Sequence, residues 1–128
     1  RCQDSVPCRD VGATRVRSLG GTALVAGDFA LSAGFGTTAS VGTISGTDQR
    51  ARFTVTSAGT GQGANPTITL TFKDGTWTVA PFVVVVRNGG LQATVLPTWT
   101  VSATQLVITF AGTPVDTQTY TYEFIALG

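Results

Sequence analysis

Between Phe53 and Leu127 the chain repeatedly alternates threonine with large apolar residues, and turns containing glycine punctuate the alternation. The clearest stretch is Thr67-Ile68-Thr69-Leu70-Thr71-Phe72, followed by Lys73-Asp74-Gly75. Successive side chains of a strand point to opposite faces, so this pattern predicts Ile68, Leu70 and Phe72 inward and a hydroxylated face outward. Threonine suits that outer face, being β-branched and still able to hydrogen-bond water. Further strands are predicted over residues 39–44, 49–57, 82–87, 91–96, 99–101, 105–110 and 119–127. Ala51, Phe53 and Val55 share one face of the 49–57 strand, and Arg50, Arg52 and Thr54 the other. Two hairpins are expected. Asp74-Gly75 joins the 67–73 strand to Thr76–Val79, and Asn88-Gly89-Gly90 joins Phe82–Arg87 to Leu91–Leu96. Phe82 to Val86 is apolar on both faces, as in a strand buried between layers or lying against a neighbouring subunit. The reading is all-β: an antiparallel β-sandwich or jelly roll of about eight short strands, spanning residues 22–128. Residues 1–21 lack this periodicity and read as an irregular N-terminal arm that ends in a Gly20-Gly21 hinge.

Composition narrows the classes. With 128 residues and 42% hydrophobic content, one domain with a proper core is expected. Charged residues are only 12%, about half the typical share, which points to a surface partly covered by other subunits. The net charge of +1 gives no electrostatic case for nucleic acid or for an acidic membrane. The basic excess sits in the arm, at Arg1, Arg9, Arg15 and Arg17. No apolar run approaches the roughly 18 residues of a membrane helix, so no membrane insertion is expected. No signal-peptide pattern is present, and the lack of any methionine reads as a processed or trimmed piece of a longer product.

Candidate chemistry is sparse. Cys2 and Cys8 are the only cysteines, and they are either a small disulfide loop or two free thiols. The chain has no histidine, which leaves no metal set and no nucleophilic triad. The glycine-rich loop 58–66 runs into a strand and lacks the Gly-Lys-Ser/Thr ending of a phosphate-binding loop. Among the carboxylates, Asp28, Asp48, Asp74 and Asp116 are assigned to bends and turns, and Glu123 to an outward strand position. No catalytic residue and no cofactor are therefore expected. Tyr120, Tyr122 and Phe124 share a strand face and are assigned to the core, with hydroxyls near the rim. Trp77 and Trp99 are the better exposed aromatics and, with Asn88, are the candidate ligand or receptor contacts. Val84, Val86, Arg50 and Arg52 are the candidate subunit interface.

A resemblance adds to this reading. Gly34-Phe35-Gly36-Thr37-Thr38-Ala39-Ser40-Val41, Ser45-Gly46-Thr47-Asp48 and Arg52-Phe53-Thr54-Val55-Thr56-Ser57-Ala58-Gly59-Thr60-Gly61 carry its first half. Asn65-Pro66-Thr67, Trp99-Thr100, Gly112-Thr113-Pro114-Val115, Tyr120-Thr121-Tyr122 and Leu127-Gly128 complete it. Together they resemble a C-terminal domain recurrent in bacteriophage virion proteins such as tail fibres, spikes and head-surface proteins. The resemblance covers roughly residues 27–128 and implies a β-sandwich that assembles as a homotrimer on the virion surface. The arm would then tether it to other virion proteins. No catalytic residue carries over. The alternatives are a carbohydrate-binding module that reads host surface glycan through Trp77 and Trp99, and a polysaccharide hydrolase with a carboxylate pair at a subunit boundary.

Overall fold

The computed structural model describes residues 21–88 and 96–128. The arm up to residue 20, Cys2 and Cys8, and most of the predicted 91–96 strand lie outside the described residues. The fold is all-β: the described residues form eight strands in two four-stranded antiparallel sheets. The strands are β1 (Phe29–Leu31), β2 (Ser40–Thr47), β3 (Arg50–Thr56), β4 (Thr67–Thr71), β5 (Phe82–Arg87), β6 (Thr98–Val101), β7 (Gln105–Thr109) and β8 (Thr119–Leu127). One sheet has the order β1-β4-β7-β6, the other β2-β3-β8-β5.

The alternation does what a two-layer fold requires. Ile68 and Leu70 of β4 meet Leu106 and Ile108 of β7 on one inner face, and Phe53 and Val55 of β3 meet Tyr120 and Tyr122 of β8 on the other. These residues are fully buried together with Phe35, Phe110 and Phe124. Phe53 stacks on Tyr122 at 5.6 Å and leans on Phe29 at 4.5 Å, so the two sheets and β1 share one aromatic centre. Both tyrosine hydroxyls are buried rather than at the rim: Tyr120 accepts the Val115 N–H at 2.9 Å. Tyr122 lies beside the Arg87 guanidinium, and burial pushes its phenol up to about 12 despite that cation. Arg87 also sits over the Phe110 and Tyr120 rings, at 5.2 and 5.4 Å.

A further local expectation is corrected. Thr76–Val79 is not a strand, so Asp74-Gly75 closes no hairpin. Instead Asp48, in the β2–β3 turn, accepts the Lys73 and Asp74 N–H groups at 2.7 Å each, and these bonds shape the end of β4. Residues 22–35 contribute the short strand β1 and two 3₁₀ turns, at Ala26–Asp28 and Ala33–Phe35. The 58–66 loop is no free tip. Thr37 N–H bonds Thr60 O, Gly63 N–H bonds Gly34 O, and Asn65 exchanges bonds with Gly112.

Both edges of the second sheet are blunted. On β2 the register shifts between Gly42 and Ser45, where Thr43 takes a positive φ of 47°, and such a bulge spoils the edge for further pairing. On β5 the Trp99 indole N–H donates to Val83 O at 3.0 Å and occupies a carbonyl that a docking strand would need. Trp99→Phe keeps most of the packing and removes that bond. It is expected to cost about 1 kcal/mol in denaturant melts, the worth of one part-buried hydrogen bond.

Candidate functional site

The two outer faces differ in kind. On the first sheet Thr67, Thr109 and Thr98 stand side by side across β4, β7 and β6, and Thr69, Val107 and Thr100 form the next row. On the second sheet the outward positions of β5, and of the C-terminal end of β8, are apolar. Phe82 faces Leu127, and Val84 faces Ile125. All four are exposed, Phe82 at 86% and Leu127 at 65% of their full surface, and Val86 continues the row. A contiguous exposed apolar sheet face of this kind is characteristic of interaction surfaces.

Charge frames one side of it. Arg52 pairs with Glu123 through Nε, at 2.6 Å, and through Nη2. Asn88 Nδ2 donates to the same Glu123 oxygen at 3.3 Å. The Asn88 bond first, and Arg52 next, hold the Glu123 carboxyl below its usual range. Being exposed, the pair is worth at most about 1 kcal/mol to stability; its role is to fix polar groups beside the apolar rows. Arg50 has no carboxylate partner among the described residues. A groove of about 640 Å³ runs along this face, lined by Arg50, Arg52, Val84, Val86, Glu123 and Ile125. The structure thus brings the four predicted interface residues, Val84, Val86, Arg50 and Arg52, onto one surface.

The predicted ligand contacts are not brought together. Asn88 belongs to the Glu123 cluster. Trp99 is half-buried against the core, with its N–H engaged by Val83. Trp77 is also half-buried, edge-on to Phe72 at 5.9 Å, and Gly128 lies so close that a Cβ there would overlap the indole. Trp77 lines a second cavity of about 300 Å³, with Asp48, Asp74, Thr76 and Thr78. Sequence reasoning gave Asp48 to an ordinary turn, yet it is 5% exposed and anchors that corner.

Asp74 grips the start of the domain. Both of its oxygens accept the Thr22 N–H, at 3.1 and 2.8 Å, while Lys73 Nζ reaches Ala23 O and Asp28 at 3.2 Å. Hydrogen bonds from the Thr22 side chain and backbone hold the Asp74 carboxyl below 3.8. A depressed folded-state value means the contact is in force above 3.8 and is lost as pH falls through the lower folded value. The Thr22 amide proton is therefore expected to titrate in NMR spectra with a midpoint below 3.8, and to show no such step in Asp74→Ala.

No protein-family model matches the chain, and comparisons with curated proteins and with solved structures find no match. Among the described residues no helix is long and apolar enough to cross a membrane, and no three His, Cys, Asp or Glu side chains cluster to hold a metal.

Proposed function

We propose that this chain is a noncatalytic structural domain of a bacteriophage particle, displayed on the virion surface as part of a fibre, a spike or a capsid decoration, and working as a homotrimer. The observation that carries the reading is the apolar outer face of β5 and β8, with its groove framed by Arg50, Arg52 and Glu123. A domain that worked alone would leave Phe82, Val84, Ile125 and Leu127 in water. Covering a valine, leucine, isoleucine or phenylalanine side chain is worth about 1.5–3 kcal/mol when burial is complete. A second copy is a fitting cover, because the face is apolar along β5 and carries both signs of charge beside it. The similarity of turns and strands to phage virion domains supplies the setting, and the low overall charge agrees with a surface that tolerates close neighbours. The N-terminal arm, on this reading, ties the trimer to other virion proteins.

Light scattering on the purified chain at micromolar concentration tests the assembly. The expected mass is three times 13.2 kDa, and a strictly monomeric protein refutes the trimer. Immunogold labelling of intact particles then tests the location, with label on head or tail expected and its absence from particles counting against a virion role.

A further inference from the structure

The cavity beside Trp77 lies at the end of the sandwich where the β2–β3 turn, the 73–75 turn and Gly21 converge. We propose that it is a saccharide subsite, binding a single neutral sugar ring. The proposal stands on its own geometry, independent of the trimer reading.

Asp48 is the central observation. It is 5% exposed, and its Oδ2 accepts two backbone N–H groups, from Lys73 and Asp74. Its Oδ1 is equally buried and has no hydrogen-bond partner among the described residues. A buried carboxylate oxygen without a donor is costly and uncommon in folded proteins, and a ligand hydroxyl supplies the missing donor. Asp74 adds a second acceptor. Its oxygens hold the Thr22 N–H, but a carboxylate has about four lone-pair sites, so acceptor capacity remains. The exposed Thr76 and Thr78 carry hydroxyls that both donate and accept, which suits a polyol. Trp77 contributes an apolar, polarisable surface of the kind on which the C–H side of a pyranose rests.

Other ligand chemistries fit less well. Two carboxylates repel an anion such as phosphate. Calcium takes six to eight oxygens, and no three acidic side chains meet among the described residues. An organic ammonium would satisfy Asp48 and Trp77 but leaves the threonine hydroxyls without a role. The volume of about 300 Å³ stands at the small end of ligand sites, in keeping with one ring and millimolar affinity.

The test is a titration of the labelled full chain, followed by amide and indole NMR, with the methyl glycosides of glucose, galactose, mannose, rhamnose and N-acetylglucosamine. A parallel arm uses n-butylamine. At least one glycoside is expected to shift the Trp77 indole and the Asp48 and Thr76 amides saturably. Asp48→Asn keeps an acceptor for the Lys73 and Asp74 amides while altering the group at Oδ1. It and Trp77→Phe are each expected to weaken binding about tenfold with the remaining spectrum unchanged. No saturable shift from any glycoside overturns the proposal. So does binding that neither variant weakens, or a response to n-butylamine alone. Light scattering on the same samples scores the trimer separately.

Discussion

Val84→Glu is expected to turn the proposed homotrimer into a monomer while leaving the domain folded. Val84 stands in the middle of β5, across from Ile125 and on the groove. In one copy it is 61% exposed, so within the isolated domain a glutamate there costs little. At a covered interface the same charge would be desolvated beside Ile125, with the nearest cation of its row, Arg50, a strand further away on β3. A contact at the centre of an interface is worth about 2 kcal/mol or more, which weakens association at least about 30-fold. Light scattering reads the mass, and a thermal melt reads the fold. The control is Thr100→Glu on the opposite outer face, expected to stay trimeric. A Val84→Glu protein that remains a trimer would place the interface elsewhere.

Phe53→Ala is expected to be the most damaging single truncation in the core. Phe53 is fully buried, stacked on Tyr122 and against Phe29, so its removal leaves a void that β-sheet backbone on both sides cannot close. Such truncations cost about 3–5 kcal/mol. Against the 5–15 kcal/mol of a typical domain, that amounts to a fall in Tm of about 10–20 °C. Phe53→Leu, which keeps most of the volume, should lose less than half as much. Calorimetry on the two variants decides it, and a loss below about 1.5 kcal/mol in Phe53→Ala would mean the core recloses around the gap.

The strands legible in the chain are those whose burial alternates: Ile68 and Leu70 in β4, Ala51, Phe53 and Val55 in β3, Tyr120, Tyr122 and Phe124 in β8. Their inward sets follow from period two alone, and each is buried. What the alternation could not show is governed by partners far away in sequence. Thr76–Val79 has a strand's composition, but the turn before it answers to Asp48, about 25 residues upstream. β1 is three residues long and exists because Phe29 and Leu31 find Leu70 and Ile68. Trp99 stands two residues after Pro97 and looks exposed, yet its indole reaches across to Val83, 16 residues away. The shared outward face of Val84, Val86, Arg50 and Arg52 was readable because alternation assigns outward faces as surely as inward ones. The corner around Asp48 was not, since no local pattern distinguishes a buried anchoring carboxylate from an ordinary turn aspartate.

The threonine rows on the outer face of β4, β7 and β6 have a consequence for how the domain meets its medium. Their members and neighbours, Thr67, Thr69, Thr71, Thr98, Thr100, Gln105, Val107 and Thr109, include no group that gains or loses a proton between acid and alkali. The titratable side chains of the described residues lie on the other sheet, at the sandwich ends or in loops. Salt has no fixed charge on that face to screen. That face therefore keeps the same electrical aspect from acid to alkali and from low to high salt, while the ends and the other sheet carry all of the domain's pH response.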